Sequence, residues 1–142
     1  MSNQEIHDAA KDGDISRLTC LIDDGASLDV RNSSGYTPLH WAAVNGHSGA
    51  VQVLVDAKAS LDILDDDEWT PLHHAADEDH SGVVQVLVDA KASLDIRDHR
   101  GWAPIHRAVW RGRSDSVQIL VAAKANLDVQ DNPRWSSLHH AV

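Results

Sequence analysis

Phenylalanine is absent from these 142 residues, tyrosine occurs once as Tyr36, and tryptophan occurs five times. A core without Phe is built from Leu, Val, Ile and Ala, so the few large aromatics invite a separate explanation. The single cysteine, Cys20, excludes an internal disulfide framework and fits a reducing compartment. Basic residues are outnumbered: 12 Lys and Arg stand against 22 Asp and Glu, a formal net charge of -10 at pH 7. Phosphate backbones and anionic lipids require a basic footprint, so neither nucleic acid nor a membrane is an expected partner. No run reaches the roughly 18 apolar residues of a membrane span. Met1 to Asp12 is polar, without the apolar stretch of a secretion leader, and the expected location is cytoplasmic or nuclear. A hydrophobic content of 42% with 24% charged residues indicates a folded chain, not a disordered one.

Self-similarity is the dominant feature. Thr37-Pro38-Leu39-His40-Trp41-Ala42-Ala43 returns as Thr70-Pro71-Leu72-His73-His74-Ala75-Ala76, then as Ala103-Pro104-Ile105-His106-Arg107-Ala108-Val109, and last as Ser136-Ser137-Leu138-His139-His140-Ala141-Val142. Each step is 33 residues, and one step back lands on Ile6-His7. The stretch from Leu54 to Ile63 recurs at Leu87 to Ile96, with looser copies at Leu120 to Val129 and Leu21 to Val30. The local chemistry is that of paired helices. Thr37 caps and Pro38 occupies the first helical position, where a missing N–H costs nothing. Leu39, Ala42 and Ala43 share one face, with alanines small enough for close helix approach. Gly46 ends the helix, and Ser48 and Ser81 are expected to cap second helices rich in Val and Leu. An extended stretch and a polar turn, Leu61 to Glu68, follow.

The period and the T-P-L-H-x-A-A motif make the chain similar to ankyrin repeats over essentially its whole length. The resemblance implies an all-α solenoid of helix-turn-helix units with projecting β-hairpin loops. One domain, 1–142, would hold units of approximately 1–31, 32–64, 65–97 and 98–130 and a partial unit over 131–142. Stacking buries the apolar face that no unit buries alone. The chain ends at Val142, a few residues into a first helix. Leu120, Val121 and the surroundings of Trp110 are therefore expected to be poorly shielded, with oligomerisation through that open end as one way to cover them. The family favours Gly after the second helix, as at Gly25, whereas Lys58, Lys91 and Lys124 stand there in later units. A left-handed backbone is expected at these lysines.

No catalytic, metal or cofactor site emerges. Resemblance makes His40, His73, His106 and His139 structural, bonding to the Thr hydroxyl and nearby backbone. Neighbours such as His73-His74 and His139-His140 point about 100° apart on a helix and cannot share a metal. His47 and His80 are expected to cap or pack the second helices, and Cys20, between apolar neighbours, to be buried. Phosphate loops, nucleophile elbows and paired-Cys metal sites are missing. Asp65-Asp66-Asp67-Glu68 lacks the alternating spacing of a calcium loop and reads as a solvated turn. Asp29, Asp62, Asp95 and Asp128 replace the Asn that in this family can be hydroxylated. They read either as turn carboxylates bonded to nearby backbone or as substrate positions for an asparaginyl or aspartyl hydroxylase.

The function that the resemblance implies is a protein-protein interaction scaffold, binding a protein partner through the concave face of hairpin tips and first helices. An inhibitor of an enzyme such as a protein kinase is a narrower alternative of the same size. Tyr36, Trp69, Trp102 and Trp135 recur just before the first-helix cap, where they either pack on neighbouring loops, as the family often does, or contact a partner. With Trp110 and Arg111 they make up the expected aromatic contact surface. Asp66, Asp67, Asp77 and Glu78 are expected to form an acidic cluster meeting a basic patch. Residues 65–97 hold nine acids and two bases, and residues 98–130 hold five bases and three acids. This asymmetry suits either a bipolar partner or salt bridges between repeats.

Overall fold

Each Thr-Pro pair begins a helix for the expected reason. In the computed structural model, which describes residues 3–127, Thr37 and Thr70 have extended backbones and their hydroxyls accept the N–H of His40 and His73. The helices run α1 (Asn3–Asp12), α2 (Ile15–Asp23), α3 (Pro38–Val44), α4 (Ser48–Asp56), α5 (Pro71–Asp77), α6 (Ser81–Asp89), α7 (Pro104–Arg111) and α8 (Ser114–Ala122). First helices α1, α3, α5 and α7 pack in one row, and second helices α2, α4, α6 and α8 pack in another. Among the described residues there is no strand. The projecting loops are tight hairpin turns without a β-ladder, each closed by one backbone bond: Asn32 N–H to Tyr36 O, Asp65 to Trp69 and Asp98 to Trp102, all 2.9 Å. An Asn or Asp carbonyl or carboxylate oxygen at each turn's start also accepts the N–H groups two and four residues on.

The core lies between the two rows. Leu39, Leu72 and Ile105 from first helices meet Leu54, Leu87 and Leu120 from second helices, all essentially inaccessible. Each such leucine contributes about 2 kcal/mol by leaving water. Ala42, Ala43, Ala75, Ala76 and Ala108 are equally buried and let first helices approach. Leu120, expected to be exposed at the end of the stack, is fully buried, while its neighbour Val121 is half exposed. The reason is side-chain direction: Leu120 faces inward between the rows and Val121 faces outward.

Polar ties repeat with the same period as the core. His40 and His73 donate from Nε2 to the carbonyls of Trp69 (2.9 Å) and Trp102 (2.8 Å) in the next unit's loop. His47 and His80 donate to Lys11 O (2.9 Å) and Val44 O (3.0 Å), and Arg113 Nε donates to Asp77 O (2.9 Å). Asp29, Asp62 and Asp95 accept the backbone N–H of Ser60, Ser93 and Asn126, so these turn carboxylates bind the following repeat. His47 and His80 therefore do not cap helices with their side chains; they latch one unit to the previous one, and Ser48 and Ser81 are first helical residues beside them. The latch also explains Gly46, which has φ 73°: a Cβ there would sit 2.6 Å from the His80 ring.

Lys58, Lys91 and Lys124 have φ of 73°, 69° and 69°, the left-handed backbone expected of them. A side chain there costs about 1 kcal/mol relative to Gly, partly offset by the freer unfolded chain that Gly creates. Lys58→Gly should raise the thermal midpoint by a few degrees in a calorimetric melt, and Lys91→Gly should do the same. A lowered midpoint in both would show that the lysine stems contribute packing that outweighs the strain.

Candidate functional site

The loop ends and first helices carry nearly all the large rings, and the structure links them. The ammonium of Lys11 lies 5.0 Å from the centre of the Trp41 ring. Trp41 meets Tyr36 edge-on at 4.9 Å, Tyr36 lies 5.2 Å from His74, and His74 lies 4.8 Å from Trp69. The guanidinium of Arg107 then sits between two indoles, 4.7 Å from Trp69 and 4.9 Å from Trp102. Trp102 ends the row against Trp110, edge-on at 5.9 Å. A row of rings thus crosses the units along one face, with a cation at its start and another between two indoles. Aromatic pairs of this geometry contribute about 1 kcal/mol beyond their burial, and cation–ring pairs a similar amount.

Two registers build this row, and the sequence reading singled out one. The aromatic before each cap supplies Tyr36, Trp69 and Trp102. The variable position of the T-P-L-H-x-A-A motif supplies Trp41, His74 and Arg107, which face those rings. Lys11, Trp41 and Arg107 were missed. For Trp41 and Arg107 the available signal was that x is large in all four later copies, Trp, His, Arg and His140, between small or structural residues; Lys11 lies outside that position.

Exposure separates the expected contact residues. Trp110 is 57% exposed, and Arg111, Asp66, Asp67 and Glu78 are exposed as well; Tyr36 and Trp69 are partly covered. Trp102 is only 1% exposed, so its ring cannot be touched by a partner; it is covered by Arg107 and Trp110 and forms part of the support. Asp77 also leaves the contact set. Its side chain is buried and paired with Arg107 at 3.2 Å and Arg111 at 3.0 Å. The acidic third unit and basic fourth unit are therefore joined by salt bridges between repeats, and Asp77 does not extend the acidic surface of Asp66 and Asp67. Asp66 pairs with Arg31 at 3.5 Å, with both groups largely in solvent. Trp135 lies outside the described residues, as do Asp128, His139 and His140. Cys20, expected to be buried, is exposed on the outer surface of α2.

The electrostatics fix the protonation of the motif histidines. Nδ1 of His40 and His73 accepts the backbone N–H of Thr37 and Thr70, and Nε2–H donates to the next loop. Burial pushes both imidazoles down to about 4, against the opposing pull of the Trp69 and Trp102 carbonyls. Burial opposes ionisation of Asp65, but the hydrogen bond from His74 at 2.7 Å and those from the Trp69 and Asp67 N–H groups outweigh it and hold its carboxyl below the usual range. Burial raises the Tyr36 phenol, helped by the charges of Asp65 and Asp67. Among the described residues no three His, Cys, Asp or Glu side chains are grouped closely enough to hold a metal ion, and no helix is long and apolar enough to cross a membrane.

Fold and face together define a helical repeat solenoid that carries, among the described residues, an aromatic and charged strip over its loops and first helices. Family models for ankyrin repeats match residues 6–98 as three copies and residues 100–132 as a further repeat, and the chain belongs to the ankyrin-repeat family. Proteins of this family are generally protein-protein interaction modules and usually have no catalytic activity. No curated protein matches the chain closely enough to add a partner.

Two outcomes are expected from this arrangement. His40 and His73 stay neutral when folded but take up protons near pH 6.5 when unfolded, so their contribution to stability is complete above about pH 6.5. It falls as pH drops toward about 4, by about 3 kcal/mol for each ring. Loss of Asp65 ionisation then extends the decline at lower pH. Urea unfolding at pH 7, 5.5 and 4.5 checks this; equal stability at all three would contradict the neutral, doubly bonded imidazoles. The second outcome concerns ion pairs. Asp77→Asn should cost about 3 kcal/mol by leaving Arg107 half-buried without its partner, whereas Asp66→Asn should cost about 0.5 kcal/mol or less. Chemical denaturation of the two variants side by side distinguishes them.

Proposed function

We propose that the chain binds a protein partner through the strip of loops and first helices running from Tyr36 to Arg111. The single observation that carries this reading is Trp110. It is more than half exposed, yet its ring is held edge-on against the buried Trp102, which is itself braced by Arg107. An exposed indole fixed in place loses little side-chain entropy on binding, and Trp and Arg dominate interface hot spots. Arg111 stands beside it with its guanidinium oriented by Asp77. Among the described residues the large exposed apolar groups of the second-helix row, Ile15 and Val121, are aliphatic, with no aromatic beside them. The expected mode is a preformed, rigid surface, since the polar ties that recur in successive repeats hold each loop against its neighbours.

With a partner captured from native lysate and purified, Trp110→Ala should weaken binding by about 2 kcal/mol, roughly thirtyfold, in isothermal calorimetry. Val121→Ala on the outer row should leave affinity unchanged. A folded Trp110→Ala protein that binds as tightly as the parent would move the interface elsewhere.

A further inference from the structure

Two openings on the proposed binding face share one residue. Tyr36 and Trp41 form the aromatic wall of a cleft of about 590 Å³, with Asp66 and Asp67 at its edge. Asp67 also lines a second opening of about 160 Å³, together with Trp69, Asp98 and Arg107. Asp98 is 5% exposed, and its Oδ2 has no hydrogen-bond partner, although its Oδ1 accepts two backbone N–H groups. Its counterpart one repeat earlier shows what is missing: Asp65 Oδ2 accepts from His74 at 2.7 Å. In the fourth unit Arg107 replaces that histidine, and its guanidinium turns to Asp77. A buried carboxylate oxygen without a donor is costly, but this one is sealed from solvent and lies out of a partner's reach.

The larger cleft has a definite chemical preference. An electron-rich indole face beside two exposed carboxylates attracts cations, and the protein already demonstrates this, because Lys11 places its own ammonium over Trp41. We propose that this cleft receives the cationic head of an arginine or lysine from an extended basic segment of the partner. This rests on the reading of the loop and first-helix face as the binding surface and gives its occupant a chemistry. The net charge of -10 adds long-range attraction for a basic segment.

The test uses the full chain and two capped peptides of glycine and serine, one carrying three arginines and one carrying three glutamates. Binding is read by the Trp41 indole N–H resonance and by peptide fluorescence anisotropy. The arginine peptide should shift that resonance, and Asp66→Asn/Asp67→Asn should weaken its binding by about fivefold or more. Asp23→Asn/Asp24→Asn removes the same charge at the end of α2 and should change affinity by less than about twofold. The proposal is overturned if about 1 mM arginine peptide leaves the Trp41 resonance unmoved, a concentration well above the affinity that one cation–ring contact with flanking carboxylates would give. It is also overturned if the glutamate peptide binds equally, or if the α2 variant loses as much affinity as the cleft variant. The captured partner separates the two readings. Binding that is sensitive to Trp110→Ala but indifferent to the cleft variant keeps the face and removes the cation site. A cleft that binds the arginine peptide, in a protein whose partner ignores both variants, does the reverse.

Discussion

One imidazole, hydrogen-bonded at both nitrogens, is the contact on which this architecture depends. At His40 and His73, Nδ1 closes the cap of its own first helix and Nε2 reaches the carbonyl of the aromatic residue 29 positions later. The bond therefore joins a helix start to the next unit's loop. It requires the neutral ring, because a protonated Nδ1 could no longer accept the Thr N–H. Burial enforces that state, and the same burial makes the join vulnerable to acid. His106 keeps both halves of the bond pattern, taking the Ala103 N–H and donating to Leu127 O, though Ala103 has no hydroxyl to contribute.

Because the imidazole grips the carbonyl of Tyr36's successors Trp69 and Trp102, it also fixes where their rings begin. The indoles cannot swing away with their loops, and so can stack with what projects from the first helices. Arg107 between two indoles is the clearest result: a cation that would be costly to bury alone is held by two ring faces and by Asp77. The loops are further tied to one another, with Asp66 N–H donating to Ser34 O and His99 to Asp67 O. Rigidity of the strip is thus a consequence of stacking order and not of any one strong bond.

The fold was legible because its causes are local and recur. Thr-Pro at helix starts, the alanine pairs and the left-handed lysines each follow from backbone sterics at one position, and 33-residue repetition made each visible several times. What stayed hidden depends on neighbours in space. Nothing near Asp77 in sequence indicates that Arg107 and Arg111, a full repeat away, take up its carboxylate. Trp102 reads like Trp69 in register, yet Trp110 and Arg107 cover it. Cys20 sits among apolar letters but on the outward side of a helix only nine residues long, where one step in sequence exchanges core for solvent. His47 and His80 look like caps because they precede helices; only stacked units reveal the carbonyls they reach.

The same division explains where recognition can be written. Positions that make the inter-repeat ties keep a residue able to make the same bond, as where Arg113 stands in the register of His47 and His80 and donates to the carbonyl of Asp77. The x position of the motif has no single recurring partner, and it is here that successive units differ: Trp41, His74 and Arg107 are aromatic, titratable and cationic in turn. Each substitution also resets its neighbour. His74 satisfies Asp65, whereas Arg107, drawn to Asp77, leaves Asp98 with an unfilled oxygen. A scaffold repeated along the chain therefore presents a surface that differs from unit to unit, and the difference arises at a register whose partner changes with each repeat.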